Sequence, residues 1–195
     1  MTFATAADLL RPRARGQALA YDAALVLGSS VLLTLSARIA IPLPFSPVPI
    51  TAQTMTVLLL GAILGSRRGS LCVAAYLLQG ALGLPVFAGG TAGLAVLGGP
   101  RAGYLLGFVA AAFTTGALAE RGWDRRMGST LAAMLLGNAA IYAFGLPWLA
   151  AFVGPRNAIP LGLVPFIPGD LLKVGLAALG LPSGWRALSL RNHRR

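Results

Sequence analysis

Charge of either sign is scarce in this 195-residue chain: 11% of its residues are charged and only five are acidic. Soluble domains carry roughly 25% charged residues, so the chain cannot coat a water-facing surface, which argues against a soluble enzyme. The one cysteine, Cys72, lies in an apolar run, so neither an intrachain disulfide nor a CxxC zinc or redox motif can form. The one histidine, His193, sits in the basic C-terminal tail. That leaves no imidazole for a catalytic triad, an HExxH zinc site or a proton relay inside a membrane. The five acids, Asp8, Asp22, Glu120, Asp124 and Asp170, are too dispersed to hold magnesium. The single lysine, Lys173, stands in Pro168-Gly-Asp-Leu-Leu-Lys173 and not in a Walker A loop. The chain therefore lacks a Walker A site at which to hydrolyse ATP.

What the chain has is apolar length: 56% hydrophobic residues and a mean hydropathy of +0.76. Apolar segments fall at about 21–41, 50–65, 69–86, 102–119, 129–150 and 164–182. All six read as helices, since a bilayer forces the backbone to satisfy its hydrogen bonds internally and no strand-like alternation is present. The expectation is an all-α integral membrane protein of six transmembrane helices in one domain, residues 21–185. A tail of residues 1–20 precedes it and a basic tail of 186–195 follows. The first twenty residues lack a signal peptide's apolar core, so the first span is expected to remain as an anchor.

The net charge of +11 would suit nucleic acid if its arginines formed a patch, but they fall in short clusters between apolar stretches. No nucleic-acid partner is expected. With six spans, Arg11, Arg13, Arg15, Arg67, Arg68, Arg121, Arg125, Arg126, Arg186, Arg191, Arg194 and Arg195 all fall on one side. Arg38, Arg101 and Arg156 fall on the other. The positive-inside rule makes the crowded side cytoplasmic, with both termini there. The expected location is the bacterial inner membrane, as a multi-pass protein. The opposite loops, 41–50, 84–100 and 154–168, are dense in proline and glycine, which predicts irregular turns without a hydrogen-bonded ladder. Such backbone at membrane depth borders protein or a water-filled cavity, so these loops are expected to cover a cavity open to the outside.

Candidate binding residues follow from the cost of polarity in a membrane. Asp170 and Lys173, three apart, share a face of the last helix and partly neutralise each other. An acid can accept N–H donors there, and the ammonium can meet an anion or a carbonyl oxygen. Arg101, after a Gly-Gly-Pro turn, suits a carboxylate, or else it snorkels to the interface. Tyr104 lies one turn further in and is either a further contact or an aromatic-belt residue. Gln79 and Asn138 are candidate contacts or interhelical hydrogen bonders. Phe87 could supply an apolar wall. On the first helix Ala20, Ala24 and Gly28 recur every four residues; the stripe serves close packing within the chain or docking of another membrane subunit.

Pro47-Val-Pro-Ile-Thr-Ala-Gln53, Leu60-Gly-Ala-Ile-Leu-Gly65, Tyr76 through Gly90, Gly99-Pro-Arg-Ala-Gly-Tyr104 and Pro168-Gly-Asp-Leu-Leu-Lys173 occur in this order. This run resembles the BioY family, the biotin-specific substrate-binding (S) components of energy-coupling-factor (ECF) transporters. The resemblance implies the ECF S-component fold and high-affinity capture of biotin from outside. It implies no cofactor on this chain. It also implies a transmembrane coupling subunit of the EcfT/BioN type and ATPase subunits of the EcfA/BioM type, together an ABC-type importer in the lipid bilayer. The resemblance further implies that Asp170 and Lys173 contact biotin, that Arg101 and Tyr104 are further contacts, and that the first-helix stripe docks the coupling subunit. The chain departs from the family where some members carry an asparagine after the Pro-Val-Phe segment; Ala88-Gly-Gly-Thr91 has none. It also reads Arg101-Ala102 where the family has Thr-Gly. The alternative reading is a stand-alone facilitator or secondary transporter of biotin or another small carboxylate.

Overall fold

The structure, a computed structural model, describes residues 3–192, with side chains described through Ala187. His193, Arg194 and Arg195 of the basic tail, with the side chain of Arg191, lie outside the described residues.

The helices are α1 (Arg15–Arg38), α2 (Gln53–Leu64), α3 (Ser66–Ala81), α4 (Leu94–Leu97), α5 (Ala102–Ala119), α6 (Met127–Val153), α7 (Pro155–Gly162) and α8 (Ile167–Asn192). Each of the six apolar segments is occupied for most of its length by one of them, α1, α2, α3, α5, α6 and α8 in turn. By length and composition α1, α5, α6 and the stretch Pro155–Ala187 could each cross a membrane. Helix α2, with 12 residues, is apolar but shorter. Two boundaries differ from the sequence reading. Helix α1 begins at Arg15, inside the stretch assigned to the tail, and α8 continues past 185 to Asn192. Arginines at helix ends reach water along their own stems, so helix runs further than the apolar window does.

The all-α expectation is corrected at residues 40–51. Strands β1 (Ala40–Leu43) and β2 (Ser46–Thr51) form an antiparallel hairpin with Ala40 opposite Thr51 and Ile41 opposite Ile50, irregular between Ile41 and Leu43. Four prolines argued against a ladder. In a two-stranded ribbon each strand pairs on one edge, and positions without an N–H fit the free edge or the irregularity. Ser46 Oγ donates to the Leu161 carbonyl at 2.8 Å, fixing the hairpin to α7.

Helix α5 is the most buried long helix, packed by α2, α3 and α6, and α1 is the least. Close approach comes from glycine. A Cβ on Gly61 would meet Ala112 backbone at 2.5 Å, and one on Gly116 the Ser66 nitrogen at 2.4 Å. On the opposite flank of α5, a Cβ on Gly107 would meet the Ile141 backbone at 2.8 Å. Small-residue contacts of this kind let helices pack through dispersion where lipid competes equally for apolar side chains. Where the amino-terminal residues pack against the end of α5, Glu120 accepts from the Ser66 N–H at 2.7 Å, capping α3. Arg68 pairs there with Asp8 and Asp22, each at 2.8 Å, and Arg11 with Asp22 at 2.7 Å.

Candidate functional site

Asp170 lies in the first turn of α8, where the helix dipole favours an acid. It is 7% exposed. Its Oδ2 accepts a hydrogen bond from the Tyr142 hydroxyl of α6. Its Oδ1 has looser neighbours: Lys173 Nζ and Thr54 Oγ1, both at 3.4 Å. The Lys173 ammonium donates at 2.8 Å to the Thr51 carbonyl and at 2.8 Å to Thr54 Oγ1. Helices α2, α6 and α8 and the end of β2 therefore meet in one polar cluster. One carboxylate oxygen is tightly held and the other is open to a shorter bond, since charge-assisted contacts ordinarily close to about 2.7–2.9 Å.

Beside the cluster is a cavity lined by Val48, Thr51, Gln53, Phe87, Arg101, Tyr104 and Phe108, among others. Thr51 belongs to both: its carbonyl accepts from Lys173, and the residue lines the cavity. The Tyr104 and Tyr142 rings meet edge to face at 6.3 Å, joining the cluster's other flank to the same wall. The open space is about 40 Å3. That is room for about one water molecule, whose share of liquid volume is about 30 Å3. A second cavity of about 350 Å3 lies outside it, between the β1–β2 hairpin and residues 88–91. Arg101, Ala88 and Pro49 line both.

Three of the sequence candidates thus converge on the inner cavity. Phe87 is 1% exposed, its ring pressed onto Gly80, where a Cβ would lie 2.1 Å from the ring. It stands edge-on to Tyr76 at 5.5 Å. Arg101 is the residue before α5, and no hydrogen bond or ion pair engages its guanidinium among the described residues. Tyr104 is buried rather than a belt residue. Its hydroxyl donates to the Gly162 carbonyl at 2.9 Å, and Gly145 leaves space for its ring.

The other candidates are placed differently. Gln79 does not line the cavity; its Nε2 donates to Ser30 Oγ at 2.9 Å, tying α3 to α1. Asn138 is buried one turn from Tyr142 on α6, and its Oδ1 has no hydrogen-bond partner. Ala20, Ala24 and Gly28 are exposed, and a Cβ on Gly28 would meet nothing within 4 Å, so the stripe is not used for packing within the chain.

Sequence reasoning missed Gln53, Thr51, Thr54, Tyr76 and Tyr142 as site residues. Gln53 Nε2 donates to the Tyr76 hydroxyl at 2.7 Å, which donates to the Val86 carbonyl at 3.2 Å. The available signal for Gln53 was a buried amide opening a helix after a proline run.

A model described as the BioY family matches residues 9–190. A protein named biotin transporter BioY from Thermotoga maritima is 44% identical over 151 residues, covering 77% of this chain and 87% of that one. Its namesake in Rhizobium etli is 43% identical over 160 residues, covering 77% and 85%. Among solved structures, the S-component for biotin from an ECF-type ABC transporter superposes with a TM-score of 0.75. It is 25% identical to this chain, over 90% of it and 95% of that chain.

Proposed function

This chain belongs to the BioY family, and we propose that it is the biotin-capturing membrane subunit of an ECF-type importer. The observation that carries the reading is the Asp170–Lys173 pair, buttressed by Tyr142, Thr54 and the Thr51 carbonyl beside a cavity walled by Phe87, Tyr104 and Arg101.

Biotin offers two ureido N–H donors, a ureido carbonyl, an apolar bicycle and a carboxylate. Asp170 Oδ1, held only by 3.4 Å contacts, accepts a ureido N–H while Tyr142 keeps Oδ2 fixed. Lys173 turns one of its protons to the ureido carbonyl. Phe87, Tyr104 and Phe108 cover the bicycle, and the unengaged Arg101, at the boundary of the two cavities, takes the carboxylate. Asn138, whose Oδ1 lacks a partner, is the further polar group close to the cluster; Gln79 serves helix packing. The inner cavity is too small for a bicycle, so entry through the outer one requires Phe87 or the hairpin to yield.

In this reading all six long helices, α1, α2, α3, α5, α6 and α8, cross the cytoplasmic membrane as one domain, with both termini on the cytoplasmic side. Biotin is bound with high affinity at the outer face. The exposed Ala20, Ala24 and Gly28 dock a transmembrane coupling subunit. Partner ATPases hydrolyse the ATP that drives reorientation and release, and this chain carries neither a nucleotide site nor a cofactor.

Titration calorimetry on the purified protein tests the reading. Biotin should bind and riboflavin and thiamine should not. Asp170→Asn and Lys173→Ala should each weaken binding about tenfold to a hundredfold, the cost of losing a hydrogen bond to a charged group. Unchanged affinity in both variants would reject the site. Uptake in cells that lack a coupling subunit and its ATPases would reject the importer assignment.

A further inference from the structure

We propose that Arg38 is a positioning residue of the capture site: it holds the 84–91 loop against α1 and thereby sets how long biotin stays beneath Phe87. The inference rests on the biotin-capture reading.

Arg38 is the last residue of α1. Its Nη2 donates to the Pro85 carbonyl at 2.7 Å. Its Nη1 packs on Gly90, where a Cβ would stand 2.8 Å away. Gly90 has φ +74°, a conformation that favours glycine. The guanidinium thus touches the loop on both sides of Phe87. The loop is closed on itself by the Phe87 N–H on the Thr91 carbonyl at 3.1 Å and the Gly90 N–H on the Phe87 carbonyl at 2.9 Å.

The same loop is also fixed to α3, and the two attachments differ in kind. On α3 the Tyr76 hydroxyl donates to the Val86 carbonyl at 3.2 Å, the Phe87 ring fills the notch at Gly80, and the Gly93 N–H donates to the Gly80 carbonyl at 2.7 Å. These contacts belong to the core. The Arg38 contact is exposed. Segments held by few exposed hydrogen bonds open at low free energy without global unfolding. Arg38 is therefore the attachment that yields when the loop must clear a cavity of about 40 Å3 for a bicyclic ligand. A basic residue in the last turn of α1 could alternatively serve only the helix's terminal carbonyls. That role would move stability and leave the loop's kinetics alone.

The test is a chase of pre-bound labelled biotin from the full-length protein in detergent. Arg38→Ala should release biotin about threefold to tenfold faster, the effect of one solvent-exposed hydrogen bond. Its association should quicken as well, because the same contact opens to admit biotin, while its melting temperature should stay close to wild type. Arg38→Lys, which keeps a donor, should recover part of the residence time. An Arg38→Ala protein that melts and releases biotin as wild type does overturns the proposal. If Arg38→Ala is unstable, Arg38→Met keeps the aliphatic stem without the donors, and a wild-type release rate in that variant overturns the proposal. A wild-type protein that binds no biotin overturns the capture reading itself, and this inference with it.

Discussion

Tyr142 decides which oxygen of Asp170 is left for a further hydrogen bond. Its hydroxyl occupies Oδ2 and leaves Oδ1 with contacts no shorter than 3.4 Å. Tyr142→Phe keeps the ring against Tyr104 and removes that constraint, so biotin binding should weaken about tenfold with little change in melting temperature. Calorimetry beside a melting curve separates this from a packing defect, which would lower both. In the proposed site Arg101 serves the other end of biotin. Arg101→Gln should weaken biotin more than its methyl ester, because the ester offers no charge to the guanidinium; equal losses for the two would remove Arg101 from the carboxylate. Asp170 and Lys173 were legible from the sequence because an acid and a lysine three apart in an apolar run have few other uses. Tyr142, Thr51 and Thr54 were not. Their roles arise from contacts across 28, 122 and 119 positions, and nothing local distinguishes them from ordinary helix or strand residues.

Helices here meet through glycine, and that predicts unequal sensitivity along the chain. Gly116→Ala forces a methyl to 2.4 Å from the Ser66 nitrogen, and Gly61→Ala forces one to 2.5 Å from the Ala112 carbonyl. Each should cost about 1–3 kcal/mol, as overpacking does, read as a lower melting temperature. Gly28→Ala meets nothing within 4 Å and should melt as wild type. Hydropathy alone located a helix in every apolar segment, because window averages report burial in lipid or protein alike. It failed at the hairpin, where proline's missing N–H is harmless on an unpaired edge. It also misplaced the start of α1, where Arg15 and Asp22 interrupt the apolar run yet are accommodated, Asp22 by ion pairs to Arg11 and Arg68.

At the scale of the molecule, the amino-terminal residues are tied to α3 by charge, and this tie depends on pH. Partial burial works to raise the Asp8 carboxyl, but the Thr5 N–H, the Thr5 hydroxyl and the Arg68 guanidinium outweigh it and hold it below 3.8. Its contribution is present above pH 3.8 and is lost as pH falls through the lowered value. Hydrogen exchange over residues 5–10 should accelerate in that acid range, and Asp8→Asn should exchange fast at neutral pH as well. Asp124 shifts the opposite way: burial raises its carboxyl against the lowering effect of the Trp185 indole N–H. Its contribution is greatest below 3.8 and declines as pH rises through the raised value.

Helix α2 has 12 residues, about 18 Å at 1.5 Å per residue. Its outward apolar stripe is Met55, Leu59 and Ile63, beside Leu176 and Gly180 of α8. The hydrocarbon core of a bilayer is about 30 Å thick. If α2 crosses the bilayer as proposed, lipid on this flank meets an apolar wall shorter than the hydrocarbon core, with the polar Thr51, Thr54 and Lys173 at its end. In that reading the bilayer thins there, at a cost that grows with each ångström of mismatch. Phosphatidylcholine vesicles of graded chain length would show it. The protein should insert and bind biotin best in short-chain dimyristoyl lipid and worst in long-chain dierucoyl lipid, and a flat response would mean that other helices shield α2 from the membrane.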